Sequence, residues 1–491
     1  MDKESSSLLF LGSLVRAQRE GEAAVQALIS ERLAGCGAEV STLTYSPAEL
    51  TLKEEFATAG EGLATEERIA VVGIIRGSGG GGARSLLLFG HPDGEDPAAP
   101  PPGAEPEKWS AARPPFEPTV EEAPSAGGGG GGKRMYGWGI ADDLMGVAAG
   151  VCALERCVAA LARGGQGQGQ GRQLQGDVYF ASTPSKHHAR GATAVLQRVD
   201  FAGGLDAALY LHPAESGAGL EEIKALSCGQ IMFSVSVAGR TPVAPTDPPF
   251  CDHPHWAASA TPEADGMCAF SHFGVNPLDK ALLLREALLA LRDARAARVH
   301  HPTLHAAVGR STNLLSAAVR CGFDRSFSAV PPQCELGCAL SFPPTESLAE
   351  VQAEVQACLD AAVAKDGWLR ENPPAVAWLS GVTGTEVRKD HPLFVAVSGC
   401  VEEVTGVAPH VNPMHTSSDI RVPLVQLGVP CLGLGSRSGN LAQDGHVDEW
   451  VDLDDYDRLV ESTALIIERW CGAAADEGEG SGERKRKAGG E

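Results

Sequence analysis

The segment Leu86-Leu87-Leu88-Phe89-Gly90-His91-Pro92-Asp93, with Tyr136-Gly137-Trp138-Gly139-Ile140-Ala141-Asp142-Asp143 further on, decides the fold class. Its first run is short and continuously apolar, the pattern of a strand buried on both faces, and it ends in a histidine and an aspartate. The second run ends in paired aspartates. Leu144, Val147, Ala148, Val151, Leu154, Val158 and Leu161 follow at i, i+3, i+4, i+7 spacing, which predicts an amphipathic helix capped by Asp142. Chemistry in open α/β sheets sits just past the carboxyl ends of strands. A histidine there, its second-neighbour aspartate and an aspartate at a helix start are the parts of a hydrolytic metal site.

Toward the N-terminus, Leu11, Leu14, Val15, Ala24 and Leu28 predict an amphipathic helix over Leu8–Leu33. Ile69–Ile75 has a buried-strand pattern, and the Gly-rich gap before Ser85–His91 predicts a hairpin-like pairing of the two. The Pro- and Gly-rich segment from Asp93 to Tyr136 reads as one long loop. Asp177–Ser182 and Ala207–His212 are further strands, the second again ending in a histidine.

Around Lys224 the pattern changes. Gln230–Val237 alternates like a half-exposed strand, Asn276–Val299 is a long helix, Thr312–Arg320 and Cys334–Phe342 are strands, Ser347–Ala364 is a helix and Val376–Leu379 a last strand. That β-α-β-β-α-β order is the ferredoxin-like unit, inserted into an α/β domain that resumes at His391 with a helix through Val404, the run Leu424–Leu434 and a closing helix Asp454–Trp470. The resulting division is 1–223 and 381–473 for the α/β domain, 224–380 for the insert, and 474–491 for a disordered tail of acidic then basic blocks.

Composition narrows the function. The 491 residues exceed one ordinary core, and the 59 glycines concentrate in runs that read as loop insertions. A formal charge of −23 argues against nucleic acid or an anionic membrane as partner. No window approaches the roughly 20 apolar residues of a membrane helix, and Met1-Asp2-Lys3-Glu4-Ser5 does not open a signal peptide. Thirteen scattered cysteines without a C-x-x-C pair fit reduced thiols, hence a cytoplasmic protein.

On His91-Pro92-Asp93, Trp109 with Pro115-Phe116, Tyr136-Gly137-Trp138-Gly139 leading to Asp142, and the inserted lid, the chain resembles the zinc-dependent amidohydrolase and exopeptidase family. That family contains acetylornithine deacetylase, succinyl-diaminopimelate desuccinylase, aminoacylase and carboxypeptidase G. The resemblance covers roughly Leu8 to Cys471 and implies a zinc-exopeptidase-like catalytic domain, its mixed sheet flanked by helices, with a lid that dimerises. It implies that His91 binds zinc with Asp93 orienting it, that Asp142 bridges two zincs, that the next carboxylate ligand falls at His212, and that the late histidine is His446.

The departures from the family concern the base and the lid. Ser185 and Lys186 stand where the paired glutamates belong, leaving His187, His188 and Glu215 as candidate bases. Val243 occupies the place of the lid histidine, with His253, His255 or His272 as stand-ins. In the arrangement that the resemblance implies, His91, Asp142 and His212 would meet at one zinc, and a second zinc would keep only Asp142 and His446 unless His187 or His188 joins, so one zinc is expected. Arg421, after Ser417-Ser418-Asp419, either grips a substrate carboxylate or pairs internally with Asp419. The expected activity is zinc-dependent hydrolysis of an amide or peptide bond in a small N-acyl amino acid or dipeptide-like substrate, with a homodimer formed through the lid. The rival is a non-catalytic descendant that binds or scaffolds.

Overall fold

The fold rests on strands whose every residue is buried. In a computed structural model that describes residues 6–58, 65–79, 82–94, 107–123, 132–164, 173–185, 189–213, 216–240, 275–322, 330–412, 418–441 and 446–472, Leu86–Gly90, Val178–Ser182 and Ala207–Leu211 run parallel at the centre of a six-stranded mixed sheet. Side chains alternate across a strand. Leu86, Leu88, Val178, Phe180, Leu209 and Leu211 therefore enter one core, while Leu87, Phe89, Tyr179, Ala181, Ala208 and Tyr210 enter the core on the opposite face.

The order across the sheet is Glu39–Tyr45, Arg68–Ile75, Val178–Ser182, Leu86–Gly90, Ala207–Leu211 and Cys431–Leu434. Arg68–Ile75 and Leu86–Gly90 are thus not a hairpin. Val178–Ser182 lies between them, antiparallel to the first and parallel to the second. The N-terminal helix divides into Ser6–Ala17 and Glu22–Gly35, because Gly21 adopts φ +99 between them. Part of the expected long loop is also ordered: Thr119–Glu122 and Lys133–Tyr136 form a hairpin that joins Trp450–Asp452 and Ser438–Gly439 in a four-stranded sheet. Leu424–Leu434 resolves into the end of a helix, Arg421–Leu427, and the edge strand Cys431–Leu434.

Asp142 does not cap its helix. The regular helix is Met145–Gly164. Before it, Ile140–Leu144 forms a wider turn in which Asp142 (φ −117, ψ 86) and Asp143 (φ −129, ψ 25) leave helical geometry, and the cap position falls on Gly139. By length and composition the segment Ile140–Arg163 could cross a membrane, but 72% of its most apolar window is buried here. It is the helix that covers the sheet, packing on the closing helix Leu453–Cys471.

The inserted unit is ferredoxin-like. Gly229–Ala238, Pro277–Arg298, Asn313–Cys321, Gln333–Phe342, Leu348–Val363 and Ala375–Val382 follow in β-α-β-β-α-β order. The sheet order places Gln333–Phe342 and Ala375–Val382 on either side of Gly229–Ala238, and Phe56–Ala57 from the first domain adds a fifth strand. Ile231, Phe233, Val235 and Val237 face Leu284, Leu288, Val351 and Val355 of the two helices. Asn276 caps the first helix, and Ser347 with Glu350 forms a capping box on the second.

Two glycines bring helix start and strand end together. A Cβ on Gly146 would lie 1.9 Å from the Leu211 carbonyl oxygen, and one on Gly435 would lie 1.8 Å from that of His212. Gly146→Ala is therefore expected to cost about 1–3 kcal/mol, as overpacking does. Gly399→Ala, at an exposed position of the helix Pro392–Thr405 with nothing within 4 Å, should instead stabilise by roughly 0.5–1 kcal/mol. Urea unfolding of the two variants checks the contrast; equal effects would show that the close approach carries no constraint.

Candidate metal centre

Three buried side chains converge at the carboxyl end of the central strands. Asp142, Asp143 and His212 each offer a ligand atom, and these atoms all lie within 4.8 Å of one another. His212 follows the Ala207–Leu211 strand and keeps its register, its N–H donating to Leu434 O at 2.9 Å. The Asp142–Asp143 peptide is cis, and both carboxylates lie in front of that imidazole. His212 Nε2 is 3.3 Å from Asp142 Oδ1 and 3.5 Å from Asp143 Oδ1.

The side chains that touch this cluster are polar and oriented. Tyr210 donates to Asp143 Oδ2 at 3.1 Å. Burial, then the charges of Asp143, Asp419 and Asp142, push the Tyr210 phenol well above its ordinary pKa, so it stays a donor. Lys224 is buried. Its Nζ lies 2.6 Å from His212 Nδ1 and also donates to Pro213 O. An ammonium only donates, so Nδ1 accepts and Nε2 carries its hydrogen toward the aspartates. A cation taken up here would displace that hydrogen.

The donor set fits a metal in kind: two carboxylates and one imidazole, all buried, make the ligand count of a catalytic zinc site. It is not the set that the sequence proposed. Asp142 and His212 come together, but His91 stays outside this cluster. Its Nδ1 donates to Thr183 O at 2.6 Å and its Nε2 to Asp419 Oδ2 at 3.0 Å. In this arrangement both ring nitrogens face oxygen acceptors, and His91 is not among the three ligand groups that cluster. The Tyr210 ring contacts both imidazoles, with centroids 5.4 Å from His91 and 4.8 Å from His212.

The other expected positions separate as well. Asp93 accepts the Ser185 N–H at 3.0 Å and lies 3.6 Å from Arg68, so its contacts hold the Ser185 turn; the groups touching the His91 ring nitrogens are Thr183 and Asp419. His446 is exposed, 3.8 Å from Glu107, away from the aspartates. Arg421 is not open to a substrate: buried, it donates to Glu55 at 2.9 Å and to Asp419 at 2.8 Å. This is the internal pairing. His187, His188, Glu215, Val243, His253, His255 and His272 lie outside the described residues.

Asp143, Lys224, Tyr210 and Asp419 were missed as site residues. The doubled aspartate, and a lone charge in Ile223-Lys224-Ala225-Leu226, were the available signals for the first two. Asp419 had none, since its role comes from residues far along the chain.

The row Glu55–Arg421–Asp419–His91 balances two carboxylates with a guanidinium and an imidazolium. Burial raises Asp419, but the His91 hydrogen bond and the Arg421 charge outweigh it and hold the carboxyl at about 2, below 3.8. Burial likewise opposes the His91 imidazolium, and the Asp419 hydrogen bond with the Asp419 and Asp93 charges raises its pKa above 6.5.

A family model described as peptidase family M20/M25/M40 matches residues 99–469, most of the chain. The chain belongs to this family. The match begins after His91-Pro92-Asp93. Among solved structures, a tripeptidase from Staphylococcus aureus aligns over 95% of this chain and 98% of its own at 13% identity, with a TM-score of 0.57. Human carnosine dipeptidase 1 gives 13% identity, 95% and 96% coverage and 0.57. A Bacillus subtilis protein described as a dinuclear metal binding peptidase of the M20 family gives 13%, 94% and 98%, and 0.52. These likenesses show the fold. A curated relative, the Bacillus subtilis N-formyl-4-amino-5-aminomethyl-2-methylpyrimidine deformylase, is 27% identical over 172 residues, 33% of this chain and 39% of the relative. Family membership supports hydrolysis of a peptide or amide bond.

The pKa directions give a stability profile. The Asp419 contribution, about 2 kcal/mol, is fully present above 3.8 and is lost as the pH falls toward about 2. The His91 contribution is full below 6.5 and is lost as the pH rises through its raised folded value. Asp419→Asn should flatten both shoulders and, between them, cost about 3–5 kcal/mol as a broken buried pair does. Denaturant unfolding across pH measures this; an unchanged profile would dismiss the pairing.

Proposed function

We propose that this family member is a zinc-dependent hydrolase of a small N-acyl amino acid or dipeptide-like substrate, with one zinc held by Asp142, Asp143 and His212. The observation that carries the reading is the convergence of three buried ligand groups at the carboxyl end of the sheet. A zinc ion there supplies a Lewis acid that makes water nucleophilic near neutral pH. The chain's own part is positional. Tyr210 fixes Asp143, Lys224 fixes the His212 ring, and Gly146 and Gly435 bring the helix and loop against Leu211 and His212. Ser185, buried where the resemblance puts a glutamate, offers a hydroxyl in place of a base, so the base is one of His187, His188 and Glu215.

One observation favours a second reading. The Lys224 ammonium already supplies a positive charge beside the aspartate pair through His212, which suits a non-catalytic binding or scaffold protein. Metal analysis of purified protein, with a hydrolysis panel of N-acyl amino acids and dipeptides, separates the two. The hydrolase should carry one zinc per chain, lose most of it in Asp142→Asn, and lose turnover by about 10³-fold or more on chelation. A chain that takes up no zinc and turns over nothing on the panel would establish the second reading; two tightly held zincs would reject the one-metal site.

A homodimer through the lid and a cytosolic setting belong to the same proposal. The edge strand Asn313–Cys321 exposes Leu315 (54%) and Val319 (47%), and the described cysteines are free thiols. Leu315→Lys combined with Val319→Lys is expected to convert a dimer to monomer in light scattering, since charge on an edge strand blocks pairing. An unchanged mass would place any association elsewhere.

A further inference from the structure

Two of those thiols face one another across the lid hairpin. The antiparallel register of Asn313–Cys321 with Gln333–Phe342 sets Cys321 directly opposite Cys334. Opposed Cα atoms in such a ladder are about 4.5–5.5 Å apart, within the roughly 4.4–6.8 Å that a disulfide spans. One step along the ladder, Arg320 and Glu335 meet at 3.4 Å, so side chains do reach each other across this end of the hairpin. Cys338, further along the same strand, faces Ser316 and so has no cysteine opposite it.

We propose that Cys321 and Cys334 form a cross-strand disulfide under oxidising conditions, making the loop end of this hairpin a redox modification site of the lid. The two thiols differ in access. Cys321 is exposed, with Sγ 3.7 Å from Gln333 O, whereas Cys334 is buried in the lid core. Burial, then the neighbouring Cys321 thiol, pushes Cys334 up to about 12, so it rests as a thiol.

Entry is therefore through Cys321. Its thiolate attacks a sulfur of a low-molecular-weight disulfide such as oxidised glutathione, breaking that S–S bond and releasing one thiol. Cys334 gives its proton to water and attacks the Cys321 sulfur of the mixed disulfide, releasing the second thiol. The protein loses two hydrogens with their electrons, and the small disulfide gains them. The new bond closes the 321–334 loop and ties the edge strand to the strand beside it, which restricts the unfolded chain.

Full-length protein, equilibrated in glutathione buffers from reducing to oxidising, then alkylated and digested without reduction, tests this by mass spectrometry. The expected product is one linked peptide pair joining Cys321 to Cys334, lost on reduction and absent from Cys321→Ser. Oxidised wild type should also melt roughly 2–4 °C above reduced wild type, a gap that Cys321→Ser abolishes; because Cys321 is exposed, this variant keeps the buried lid core intact. Glutathione held on Cys321 without the link, a Cys321 bond between two chains, or a fully oxidised sample with both thiols free would each overturn the proposal.

Discussion

The approach of a helix start to a strand end is the constraint on which the rest depends. Where Met145–Gly164 begins, its backbone lies against the Leu211 carbonyl so closely that a methyl group on Gly146 would overlap it. Gly435 repeats the arrangement at the next residue, His212. Only residues without a Cβ permit these distances. Because they hold, the turn that carries Asp142 and Asp143 ends in front of the imidazole that closes the neighbouring strand.

Charge balance then decides which groups are available for chemistry. Glu55, Arg421, Asp419 and His91 form one row of alternating charge, linked by hydrogen bonds from Arg421 to Glu55 and Asp419 and from His91 to Asp419. Buried charges are tolerated only when paired, so this row holds the end of the Leu86–Gly90 strand to the start of the helix Arg421–Leu427. Within it, His91 and Arg421 both contact Asp419. The two aspartates and His212, joined to Lys224 and Tyr210, are the group that keeps a ligand-like geometry.

The lid rests on different physics. Its core is made by alternating strand residues and the buried faces of two helices, and its helix ends are closed by Asn276 and by the Ser347–Glu350 box. It connects to the first domain by backbone pairing, since Phe56–Ala57 extends its sheet. The opposite edge of that sheet is Asn313–Cys321 among the described residues, and this edge carries both the exposed leucine and valine and the exposed cysteine.

Periodicity made the elements legible. Continuous apolar runs gave the central strands, and alternation with helical spacing gave the ferredoxin-like unit almost to its ends, because those patterns record burial residue by residue. The placing of His212 with Asp142 came from the family resemblance and not from a local pattern. Sheet order was not legible: Arg68–Ile75 and Leu86–Gly90 are neighbours in the chain, yet a strand formed a hundred residues later separates them. The Arg421–Asp419 pair, two residues apart, was one of the two options the sequence left, whereas the His91–Asp419 and Arg421–Glu55 contacts were hidden, because electrostatic partners hundreds of residues apart leave no local pattern. The sequence by itself determined the elements and the residue types at their ends, since these are local. Only the tertiary structure decided which of those residues share a charge, because that depends on distances the chain acquires when its sheets close.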